Sequence, residues 1–163
     1  MQNQELSRQL QRLRILIQKT RTVSADDFEL QSHWGRYLCI LVAGFLENAL
    51  TEIYTDYVKQ SASQPIADFA AAVLARIQNP QAQRFLETAR AFQKRWGEEL
   101  EAFMDQDGRK DALDSIMANR HLIAHGKDSG ITVARVNAYL EKCVEVIEFI
   151  EVQCQGRSST SRR

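Results

Sequence analysis

The chain has 163 residues, 44% of them hydrophobic and 26% charged. These are ordinary proportions for one globular domain large enough to bury a core, and they argue against extensive disorder. Lys plus Arg and Asp plus Glu both number 21, so no global field marks a nucleic-acid binder. Any nucleic acid has to be met by a local basic surface. Only 7 Gly and 2 Pro punctuate the chain, which favours long helices over short strands and turns.

The opening MQNQELSRQL lacks the apolar core of a secretory signal. The longest nearly apolar run, Tyr37 to Leu46, is about half of what crosses a bilayer, so no membrane association is expected. Cys39, Cys143 and Cys154 are odd in number and widely spaced. Without a CxxC pair they read as reduced thiols in a cytoplasm.

In chain order, Leu6, Leu10, Leu13 and Ile17 line one face of a first helix, whose other faces carry Arg8, Arg12, Arg14, Lys19 and Arg21 against Glu5. That basic strip is either a solvated face or a guide for RNA. Ser24 and Asp27 form a capping signal ahead of a long helix striped by Trp34, Leu38, Leu41, Phe45 and Ala49. Gly35 and Gly44 inside it suggest close packing against a neighbouring helix. SASQP (61–65) reads as a linker, with Pro65 placed to open a helix whose buried face is Ile66, Phe69, Ala70, Val73 and Ile77. Asn79-Pro80 ends that helix. A further helix runs through Phe85, Ala89, Phe92 and Trp96, with Gly97 as its end or kink and Leu100 and Phe103 as a possible extension. DQDG (105–108) is a turn. Leu113, Ile116, Met117, Ile123 and Ala124 then describe an apolar face that stops at Gly126, a natural helix-terminating position. The last helix holds Val133, Val136, Leu140, Val144, Ile147 and Ile150, and the tail GRSSTSRR is polar, basic and expected to be disordered. No stretch alternates with period two. The expectation is an all-α bundle of five to six helices, one domain over 1–155, and a tail over 156–163.

The chemistry concentrates in Asn119-Arg120-His121-Leu122-Ile123-Ala124-His125-Gly126, which holds two of the three histidines. Arg120 shares a helical face with Leu113, Ile116 and Met117. An arginine directed at a packed face needs a carboxylate partner or an anion. His125 stands one residue before the glycine stop, where the helix opens to solvent.

This segment resembles the HEPN superfamily, whose members carry Arg-x(4–6)-His near the end of a late helix in an all-helical bundle. Arg120 matches the arginine, His125 the histidine, and RHLIAHG is similar to bacterial HEPN members of toxin-antitoxin and phage-defence systems. One departure is His121, where many active members have Asn. The resemblance implies a metal-independent RNA endonuclease without cofactors, acting as a homodimer with a composite active site. The 2′-hydroxyl would attack the adjacent phosphate and leave 2′,3′-cyclic phosphate and 5′-hydroxyl ends. Histidine suits proton transfer near neutrality, and arginine suits phosphate oxygens. Arg120 and His125 are the catalytic pair; His121, Asn119, Glu47, Asn48 and Lys127 are substrate-binding or supporting candidates. An antitoxin or a nucleotidyltransferase is a possible partner.

Other readings stand beside this one. Arg120 could pair with Glu47, and His125 could only satisfy the last helix carbonyls. His121 and His125, at i and i+4, could share a metal with His33, Asp128 or a cysteine, although HLIAH lacks the glutamate of HExxH. The alternative function is a non-catalytic HEPN module that binds nucleotide, RNA or a partner protein; a plain helical interaction domain is a third.

Overall fold

The computed structural model describes residues 1, 3–23 and 27–156. Seven helices follow one another, with no strand among the described residues: α1 (Gln4–Val23), α2 (Phe28–Ser61), α3 (Gln64–Leu74), α4 (Ala82–Phe92), α5 (Lys94–Met104), α6 (Arg109–Ala124) and α7 (Val133–Gln155). The expected stripes close one core. Leu6, Leu10, Leu13 and Ile17 of α1 are buried, as are Leu38, Phe45 and Ala49 of α2 and Val136, Leu140, Val144, Ile147 and Ile150 of α7, while Trp34 and Leu41 of the expected α2 stripe are only partly buried and Val42 and Leu46 fill the core beside them. α2 is the centre of the bundle and packs against α1, α3, α6 and α7. By length and hydropathy alone α2 would suit a membrane span, but most of its apolar stretch is buried by these neighbours.

Local chemistry sets most of the boundaries. Asp27 is the α2 N-cap itself and accepts from Leu30 N at 2.9 Å; Ser24, the other half of the expected signal, lies outside the described residues. Pro65 sits in the first turn of α3, where its missing N–H costs nothing. Thr132 caps α7 through Arg135 N. The tail beyond Gly156 lies outside the described residues.

Three expectations need correction. The linker is shorter than SASQP, because α2 continues to Ser61 and α3 begins at Gln64. The α3 face is also misplaced: Ala67, Leu74 and the following Ile77 are buried, whereas Ile66, Phe69 and Val73 are 60%, 73% and 45% exposed. Periodicity identifies an apolar stripe but not which neighbour covers it, and nothing among the described residues covers this one. Third, the helix through Phe85 and Trp96 is two helices. The break is at Gln93 (φ −158°, ψ 127°), not at Gly97. Gly97 instead lets α4 and α5 close on each other, since a β-carbon there would collide with the Arg90 side chain.

The glycines of α2 also differ from expectation. Gly35 packs against the backbone of the α6–α7 loop at Ile131 and Thr132, not against a helix. Gly44 faces open space, with nothing within 4 Å of a β-carbon added there.

Candidate active site

α6 is pinned at its start and closed tightly at its end. Arg109, in the first turn, donates from Nε to Glu145 of α7 at 2.6 Å and from Nη1 to the Phe103 carbonyl at 3.1 Å. Its guanidinium also lies 4.1 Å above the Phe103 ring. Further along, Leu113, Ile116 and Met117 are buried and hold the helix on the core.

At the other end, Gly126 takes φ +68°, a left-handed conformation that costs glycine little. Gly126 N donates to Ile123 O at 3.1 Å and Lys127 N to Leu122 O at 2.9 Å. These two bonds are the Schellman closure, which satisfies carbonyls that a helix end otherwise leaves open. His125 is the capping residue of this turn, so a hydrogen-bonded backbone places its ring.

The motif side chains gather at this end. Arg120 is half-buried, while His121, His125 and Lys127 are exposed. The rings of His121 and His125 touch, with centroids 4.4 Å apart and planes at 60°. Arg120 makes no ion pair among the described residues, whereas Glu141, Asp128, Glu101 and Glu145 are each joined to another arginine. A half-buried guanidinium without a carboxylate is available to an anion.

Some of the expected support lies elsewhere. Glu47 accepts from Asn79 N at 2.7 Å and so fastens the segment between α3 and α4. Asn48 donates to Gln9 of α1 at 3.1 Å. Neither is joined to Arg120, and the proposed Arg120–Glu47 pair is absent among the described residues. Asn119 turns back along α6 to the Ser115 carbonyl at 2.8 Å. The metal alternative finds no third ligand: His33 faces Glu29, Asp128 is bonded to Arg36, the three cysteines are free and buried, and no group of three metal-ligating residues occurs among the described residues.

Sequence reasoning missed Arg36. Its Nη2 donates to Asp128 at 2.9 Å, and its Nε is buried without a partner. With Gly35 against Ile131, this fixes α2 to the loop that follows His125. The legible signal was a lone arginine in the otherwise apolar WGRYLCILVAGF. The basic strip of α1 is partly neutralised, since Arg8 pairs with Glu5 and Arg14 with Glu141 of α7. The Glu141 carboxylate, hydrogen-bonded to Arg14, raises that guanidinium above its ordinary value.

The all-helical bundle agrees with the HEPN-like fold expected from the sequence. A family model described as RiboL-PSP-HEPN matches residues 4–155, and the chain belongs to that family. No curated protein and no solved structure matches it.

Proposed function

We propose that this HEPN domain is a metal-independent RNA endonuclease whose site is built from Arg120 and His125 of two copies of the chain. The observation that carries the reading is the end of α6, where Arg120, half-buried and in no ion pair among the described residues, shares the last turns with two exposed imidazoles in ring contact at a hydrogen-bonded helix stop. RNA brings its own nucleophile. A base takes the proton of the 2′-hydroxyl, its oxygen bonds to phosphorus, and the 5′-oxygen leaves with a proton from an acid. The products are a 2′,3′-cyclic phosphate and a 5′-hydroxyl. Histidine performs either proton transfer, and Arg120 neutralises the charge on the phosphoryl oxygens.

Base and acid act at opposite ends of the in-line axis. His121 and His125 lie on one face of one helix with their rings in contact, and so approach a phosphate from the same side. A symmetric dimer supplies the second His125 from the other side. His121 then orients the ring of its neighbour, and Lys127 adds a cation at the rim. Such an enzyme fits a cytoplasmic toxin-antitoxin or phage-defence setting, with an antitoxin or nucleotidyltransferase as its restraint.

The test is cleavage of end-labelled single-stranded RNA and tRNA in excess EDTA, with His125→Ala and Arg120→Ala beside the wild type. EDTA-resistant cutting to cyclic-phosphate ends, reduced ~10²–10⁴-fold in His125→Ala, is expected. A folded wild-type dimer that cuts neither substrate overturns the endonuclease reading in favour of a binding module.

A further inference from the structure

The 21 basic and 21 acidic side chains cancel over the whole chain, but they are unevenly placed along the bundle. The register of α1 on α7 shows where they fall. Asn3 N donates to Glu151 at 3.3 Å and Arg14 Nε to Glu141 at 3.0 Å. The two helices are therefore antiparallel, and the end of α1 lies beside the start of α7. The Gly35 contact with Ile131 and the Arg36–Asp128 bond bring the start of α2 to the same place. This is the end of the bundle where α6 stops at His125.

Charge is segregated between the two ends. At the motif end Arg21, Lys127 and Arg135 are exposed and, like Arg120, make no ion pair among the described residues. Of the acidic groups described there, Asp27 caps α2 at Leu30 N, Glu29 faces His33 and Asp128 is held by Arg36. Neither the second half of α1, from Ile15 to Val23, nor the start of α7, from Val133 to Leu140, contains an acid. The opposite end holds Glu52, Asp56, Glu148 and Glu151 against Lys59 and the Met1 amine.

Arg21 is the member of the α1 strip that faces this cationic end. Arg14 and Arg21 are two turns apart and share a flank of α1, and the Glu141 bond fixes that flank toward α7. Arg21 lies ~10 Å beyond Arg14, and Arg135 ~9 Å back from Glu141, at 1.5 Å per residue. The two arginines therefore stand level. Thr20, beside Arg21, is 3% exposed, which holds this last turn of α1 on the bundle. Lys19 falls across the helix from it.

We propose that Arg21 and Arg135 hold backbone phosphates of a single-stranded RNA whose scissile phosphate lies at Arg120 and His125. The proposal rests on the nuclease reading above and adds the path by which the substrate reaches that site. A chain without net charge meets a polyanion through one cationic end, and the acidic end opposite orients the approach. The strand is single because in-line attack by a 2′-hydroxyl needs a backbone free to leave helical geometry.

The experiment is fluorescence anisotropy of a 5′-labelled single-stranded oligoribonucleotide, titrated with full-chain His125→Ala at several salt concentrations. The same protein is also made with Arg21→Gln, Arg135→Gln or Lys59→Gln. Losing one phosphate contact lowers affinity about 5-fold at about 0.1 M salt and the slope of log K on log salt by about 0.7. Arg21→Gln and Arg135→Gln are each expected to do this, and together to weaken binding about 25-fold. Lys59→Gln, which removes the same charge at the acidic end, should change neither quantity. All three side chains are exposed, and unchanged far-UV circular dichroism verifies the fold. Equal weakening by Lys59→Gln, or none by either arginine variant, overturns the proposal; if the wild type still cuts the same RNA in EDTA, the nuclease reading survives. Weakening confined to the two arginines, with no cutting by the wild type, upholds the path and removes the catalytic reading.

Discussion

Gly35 and Gly44 lie in the same helix, nine residues apart, and alanine at each should have opposite consequences. In a helix interior alanine is favoured over glycine by about 1 kcal/mol. At Gly44 nothing lies within 4 Å of the added β-carbon, so the full gain should appear. At Gly35 the same atom falls far inside contact distance of the Ile131 carbonyl oxygen and 3.1 Å from Thr132 Cα. Both obstacles are backbone, which cannot rotate away as a side-chain tip can. Forcing a methyl into such a place costs ~1–3 kcal/mol, and that cost is the difference between the two variants. It corresponds to a gap of roughly 2–12 °C in Tm for a chain of this size. Thermal and denaturant unfolding of the two variants beside the wild type measures it. The displaced segment is the loop after His125, so Gly35→Ala should also reduce RNA cleavage ~10–100-fold, as small misplacements of catalytic groups do. Equal stability of the two variants would refute the packing of α2 on the α6–α7 loop.

Three further outcomes follow from the same contacts. Gly126→Ala should cost about 1 kcal/mol for the left-handed φ and slow cleavage by moving the His125 turn, whereas Arg120→Ala, which breaks no ion pair, should abolish cleavage and leave the denaturation midpoint nearly unchanged. Arg109→Ala should destabilise by about 1–2 kcal/mol, because it leaves the Phe103 carbonyl without its donor, removes a cation from the ring face and breaks the half-exposed pair with Glu145; a midpoint within experimental error of wild type would contradict this. Burial pushes the thiols of Cys39 and Cys154 up to about 12 from the ordinary 9.0, and that of Cys143 in the same direction. The folded values are raised, so this contribution is complete below pH 9 and lost as pH rises from there toward 12. Unfolding free energy should therefore fall by roughly 1 kcal/mol per thiol between pH 8 and 10, less so in Cys143→Ala, and the native thiols should resist a disulfide reagent at pH 8.

The positions of Arg120 and His125 at the end of α6 were readable because two independent rules coincide on eight residues. Gly126 must end the helix, and Arg120 falls on a face with Leu113, Ile116 and Met117, so the sequence alone places the cation beside the core and the histidine at the exit. The errors arise where a side chain has two possible neighbours. Glu47 and Asn48 are adjacent on α2 but diverge, one to Asn79 and the other to Gln9, a choice set by where α1 and α3 pack. Ile66, Phe69 and Val73 look like core because an uncovered stripe has the same spacing as a covered one. Gln93 carries no helix-stopping chemistry, and the α4–α5 break there follows from the tight closure that Gly97 permits over Arg90.

Arg36 shows why the site extends beyond its motif. The turn at Gly126 fixes the His125 backbone locally, but the chain then runs through Lys127–Ile131 before Thr132 starts α7, and only tertiary contacts can hold that segment. α2 provides two of them, the Arg36–Asp128 bond and the Gly35 contact with Ile131. An exposed ion pair alone contributes only about 0–1 kcal/mol, whereas a backbone-to-backbone contact tolerates no added methyl. The glycine therefore does most of the fixing, and Arg36, with Nε buried and unpartnered, keeps hydrogen-bonding capacity in reserve beside the motif. Arg36→Lys retains the charge but loses the fork that can hold Asp128 and a phosphate together. It should leave stability almost unchanged while raising KM for RNA more than it lowers kcat. The reverse pattern would make Arg36 a prop for the loop and nothing more.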